Sequence, residues 1–132
     1  MQALIAVLMA VATHAGQAGE SMDSFVLRVA PLAMAETKSR QAMVCGVIGE
    51  KDGSYSIRLR TDGDLGQCEI DMNDLEPGAA STGQTFHTHP KDVETFFSFE
   101  DYSQPGYVAQ GRMVKHQKGR GSDRYVISRK GR

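Results

Sequence analysis

The chain contains no tryptophan and only two cysteines among its 132 residues. Two cysteines, Cys45 and Cys68, allow at most one disulfide, so a disulfide-built scaffold is excluded. Neither sits in a Cys-x-x-Cys pair, which argues against a cysteine-only zinc site. No internal repeat and no long low-complexity linker is present, which removes repeat architectures. The longest apolar run, Ala3 to Ala12, is ten residues and too short to span a bilayer as a helix. Asp62-Gly63-Asp64-Leu65-Gly66 has acid and glycine spacing, but the twelve-residue calcium-loop pattern with its closing glutamate is missing.

What remains fits one ordinary globular domain. The length supports a single core, with 40% hydrophobic and 23% charged residues. A formal net charge of −1 conceals a gradient. From Thr61 to Pro105 there are 10 acidic residues against Lys91; from Gly111 to Arg132 there are 8 basic residues against Asp123. The basic C-terminal segment can meet an acidic partner. No base-stacking aromatic motif accompanies it, so nucleic acid is not the expected partner.

The N-terminal apolar run leads into Gly16-Gln17-Ala18, small residues where a signal peptidase reads. Residues 1–18 are therefore expected to be a signal peptide cut after Ala18, with a domain over residues 22–132 and no membrane span after removal. That implies a secreted or periplasmic protein. No Lys or Arg precedes the run, and the alternative is a first helix packed on the core, in which case the protein is cytoplasmic. In an oxidising compartment Cys45 and Cys68 can pair; in the cytosol they are two small buried hydrophobes.

The rest organises into elements. Asp23 or Ser24 can cap a helix through Phe25, Val26, Val29, Ala30, Leu32 and Ala33, which Pro31 should kink or split. Lys38 to Gln41 reads as a polar break, residues 42–48 as a buried strand, and Lys51-Asp52-Gly53-Ser54 as a hairpin turn. Residues 55–60 alternate as a half-exposed strand does, and Gln67 to Met72 reads as a third strand. A loop over residues 73–84 leads to a short strand from Thr85 to His89. Ser98 can cap a helix containing Asp101, and strands follow at 107–109, 112–117 and 124–128.

Chemistry is concentrated in Phe86-His87-Thr88-His89-Pro90. Imidazoles at i and i+2 of an extended chain point to the same side. A carboxylate from the next element completes three ligands and leaves one position open, the count of a catalytic zinc site. Acyl transfer through Cys45 is disfavoured, because that residue lies in a buried-type strand with no adjacent base.

His87-Thr88-His89-Pro90 followed by Ser98-Phe99-Glu100-Asp101 resembles the JAMM (JAB1/MPN+) metalloprotease signature. More narrowly it is similar to JAB-like domains of bacterial secreted proteins and toxins. The resemblance implies an α+β (α/β) fold with a single mixed sheet flanked by helices. It implies a zinc-dependent hydrolase of amide or isopeptide bonds in a protein or peptide substrate. His87, His89 and Asp101 would bind Zn2+, Ser98 would hydrogen-bond the developing oxyanion, and Thr88 would point away and support the strand. Eight residues separate His89 from Ser98, one more than the commonest family spacing. The family's general-base glutamate sits just before the Cys-Gly of the first core strand, where this chain has Met43-Val44-Cys45-Gly46. Glu36 is the preferred substitute and Glu50 the second. The alternative is a catalytically impaired JAB-like metal-binding or protein-interaction module.

Overall fold

A computed structural model of the chain describes residues 9–90, 105–117 and 124–128. Their strands are β1 (Met9–Ala15), β2 (Cys45–Lys51), β3 (Ser54–Thr61), β4 (Ala80–Thr88), β5 (Gly106–Gln110), β6 (Met113–Gln117) and β7 (Arg124–Ser128). They form one seven-stranded sheet in the order β1-β3-β2-β4-β5-β6-β7. Only β4 and β5 run parallel; the other neighbours are antiparallel. Helix α1 (Met22–Arg40) covers one face, giving an α+β domain with a single mixed sheet. The second helix expected to begin at Ser98 lies outside the described residues.

Helix α1 begins where Ser21 accepts a hydrogen bond from the Ser24 N–H, and Asp23 adds an acid to its first turn. It ends at Gln41, which takes a left-handed conformation (φ 56°) and donates its N–H to Thr37. Contrary to the expected split, α1 runs unbroken through Pro31, and the supposed polar break at Lys38 is its last turn. Phe25, Val26, Val29, Ala30 and Ala33 hold the helix on the sheet, and this tertiary burial overrides the local preference. They pack against Val44, Ile48, Ile57, Leu59, Phe86, Tyr107, Ala109 and Val114.

In the described part of the N-terminal stretch, a strand stands in place of the core helix that was the alternative reading. Met9–Ala15 is an edge strand paired antiparallel with β3, with His14 opposite Ile57. Cleavage after Ala18 would remove β1 from the sheet. The β2–β3 turn is as read: Asp52 (φ 53°) and Gly53 (φ 82°) both take the positive φ that a type I′ hairpin requires.

The third strand expected at Gln67–Met72 is absent. Residues 62–79 form a long loop whose acids turn back on their own backbone. Asp62 accepts from the Asp64 N–H, Asp64 from Gly66 and Asp71 from Asn73. Strand β4, in turn, starts five residues earlier than its apolar pattern suggests, at Ala80 rather than Thr85. The pairing with β2 shifts between Val47 and Gly49, so Thr82, Gly83 and Gln84 together oppose Ile48. Thr82 donates to the Ile48 carbonyl and accepts from the Gln84 N–H, which secures this irregular polar half.

Candidate metal centre

The end of β4 separates structure from chemistry by strand alternation. Phe86 and Thr88 face α1 and are 1% and 0% exposed. The Thr88 hydroxyl lies 2.5 Å from that of Thr37 on α1 and accepts the Val44 N–H at 3.0 Å. The Thr88 N–H donates to the Val44 carbonyl. Thr88 therefore pins the strand between helix and β2, and His87 and His89 are left on the outer face.

His87 sits opposite Cys45 of β2 and beside Val108 of β5. His89 lies just past the strand, where its N–H donates to the Ala109 carbonyl at 2.8 Å, so pairing with β5 continues. The two ring centroids are 5.0 Å apart, with planes at 51°. Rings sharing a tetrahedral zinc through nitrogens at about 2.0–2.1 Å have centroids about 5 Å apart. The pair thus has the spacing that one shared metal needs. His87 is half-buried and His89 is buried at 7% exposure, so the pair sits at the rim of the packed sheet.

The expected carboxylates divide. Asp101 and Ser98 lie outside the described residues. The described residues resume at Pro105, whose carbonyl accepts the Thr85 N–H. Among the described residues no group of three or more His, Cys, Asp or Glu side chains could hold a metal ion. Glu36 is on α1, across the sheet from the histidine face, and accepts from Arg40 at 2.8 Å. Its charge acts on His14 of β1, whose pKa is lowered by burial and by Arg28 and raised by Glu36. Glu50 pairs with Ala80 and Tyr55 at the other end of β2, five residues from Cys45 and hence about 17 Å along the strand. Neither glutamate joins the histidine pair.

Met43 occupies the informative position. It lies two residues before Cys45, on the same outer face, and continuing the β2–β4 register sets it opposite His89. It is 7% exposed, and its backbone is held by Asp64 and by the Thr61 hydroxyl. A buried thioether therefore stands beside the histidines, where a carboxylate would be the nearest proton acceptor.

Two features here were not legible as parts of the site. A disulfide joins Cys45, the cross-strand neighbour of His87, to Cys68. The loop carrying Cys68 is fastened to the outer face by Arg60 on Asp74 at 2.6 Å and Arg58 on Glu76 at 2.8 Å. The Arg60 guanidinium, with Arg58 beside it, holds the Asp74 carboxyl below its ordinary range. Gly46 makes the close strand packing possible, because a Cβ there would lie 2.4 Å from the Arg58 carbonyl oxygen. No family description, curated protein or solved structure matches the chain.

Proposed function

We propose that this chain is a zinc-dependent hydrolase domain of JAMM type, with the JAB1/MPN fold, acting on amide or isopeptide bonds of a protein or peptide. The observation that carries the reading is the pair of imidazoles, 5.0 Å apart on one side of the β4 terminus. His87 and His89 hold the metal, and Asp101, from the segment that follows, supplies the third ligand. Two neutral imidazoles and one carboxylate leave net positive charge on zinc. Zinc bound there supplies a Lewis acid that polarises the scissile carbonyl and makes water acidic enough to react near neutral pH. The Ser98 hydroxyl donates to the oxyanion that develops. Thr88 holds the strand from behind. The His87-Thr88-His89-Pro90 and Ser98-Phe99-Glu100-Asp101 motifs are what support reading the chain among JAB-like domains of exported bacterial proteins and toxins. The Cys45–Cys68 disulfide supports an oxidising compartment.

A second reading keeps the metal and gives up turnover, and Met43 favours it. Glu36 and Glu50, the two carboxylates considered as proton acceptor, lie elsewhere; in this reading the acceptor comes from the substrate, or hydrolysis is impaired and the domain binds rather than cuts. One experiment separates the two. Zinc content and zinc-dependent cleavage of a peptide and isopeptide panel are measured for the wild type, His87→Ala/His89→Ala and Met43→Glu. Stoichiometric zinc, lost in the double variant, supports the site, and no zinc at neutral pH sinks it. Wild-type cleavage favours the enzyme; cleavage appearing only in Met43→Glu identifies an impaired module.

A further inference from the structure

Cys45, Cys68, His87 and His89 have the side-chain chemistry of zinc ligands and meet on the outer face of the sheet, but with the two cysteines joined they make no group that could hold a metal ion. Cys45 is the cross-strand neighbour of His87, and facing Cβ atoms in such a pair are about 4.5–5.5 Å apart. His89 adds the second imidazole on the same side. Cys68 has its Cα 6.1 Å from that of Cys45. The loop bearing it is also fixed to β3 through Asp74 and Glu76, so it has anchors besides the disulfide. We propose that reducing the Cys45–Cys68 disulfide creates a Cys2His2 zinc site from Cys45, Cys68, His87 and His89. The proposal rests on the histidine pair of the preceding reading, and it needs neither Asp101 nor hydrolysis.

The chemistry balances with a dithiol as reductant. The dithiol loses two electrons and two protons as its sulfurs join, and Cys45 and Cys68 each become a thiol. On taking zinc, each thiol releases its proton to solvent. Two sulfurs at about 2.3 Å from a tetrahedral zinc stand about 3.8 Å apart, a separation that side-chain rotation at the two cysteines supplies. Four protein ligands close the coordination sphere, whereas His87, His89 and Asp101 leave it open. The redox state of one bond thereby selects between a closed structural centre and an open one.

The test uses the full chain with cobalt(II) in place of zinc, oxidised or reduced by a phosphine, which takes up oxygen from water as it is oxidised. Reduced protein should show thiolate-to-cobalt charge-transfer absorption, and competition should give zinc affinity at least tenfold tighter than in the oxidised form. Oxidised protein should show no such absorption. Cys45→Ser/Cys68→Ser should abolish the band, and His87→Ala should weaken binding in the reduced form. Asp101→Asn should lower zinc binding of the oxidised form only, so failure of the earlier reading shows separately. The proposal is overturned if reduced, folded protein gives no sulfur band, or if the band survives unchanged in His87→Ala/His89→Ala. It also fails if reduction unfolds the chain, as read by circular dichroism, and zinc does not restore the signal.

Discussion

The two faces of β4 follow opposite rules within five residues. Facing α1, Phe86 and Thr88 are sealed, and Thr88 has its hydroxyl shared between Thr37 and the Val44 backbone. Facing outward, His87 and His89 stand beside a disulfide and an acidic loop fastened by arginines. The inner face fixes where the strand lies, and the outer face is free to carry groups chosen for chemistry. Substitutions on the two sides should therefore separate stability from metal binding.

The largest loss of stability is expected on the inner face. Phe86→Ala removes a ring that is 1% exposed in the centre of the core and should cost about 3–5 kcal/mol. Urea unfolding measures it; a loss below about 1 kcal/mol would show that the ring is not packed as described. Thr88→Val keeps the shape and deletes the hydroxyl, leaving the buried Val44 N–H and Thr37 hydroxyl to find other partners. A cost of about 1–3 kcal/mol is expected, with the histidine pair displaced and zinc affinity lowered as a consequence.

How much of this could be read from the sequence depends on which force placed each residue. The α1 apolar face, the Asp52-Gly53 hairpin and the side shared by His87 and His89 follow from local periodicity and turn chemistry, and all three were legible. Strand β1 was not, because a continuous apolar run has no period and only its pairing with β3 decides its form. The early half of β4 is polar and irregular, held by Thr82 and by a shift in register that no alternation announces. Gln67–Met72 looks like a strand, yet the disulfide and the Asx turns make it loop. At the site, the sequence shows Met43-Val44 just before Cys45-Gly46, where the JAMM resemblance would place a carboxylate. The absence of Glu36 and Glu50 from the outer face became visible only with the sheet order.

A smaller effect should come from the loop clamp on the outer face. The Asp74 pKa is depressed, chiefly by its hydrogen bond to Arg60. A depressed carboxylate stabilises the fold above its unfolded pKa, and that contribution fades as pH falls through the lower folded value. Asp74→Asn should therefore cost about 1 kcal/mol at neutral pH and nothing in strong acid, flattening the acid limb of a stability–pH curve. An unchanged limb would mean that the arginines do not hold the loop in solution.

The smallest effect on folding should come from the residue with the largest effect on metal. His87 is half-buried at the sheet rim, so His87→Ala should shift metal-free stability by about 0.5 kcal/mol or less. Zinc added to the wild type should raise its melting temperature, because a ligand held by the native state alone stabilises it by mass action. In His87→Ala that rise should vanish. Equal zinc-induced shifts in the two proteins would place the metal elsewhere, and the division between the faces of β4 would then be one of packing alone.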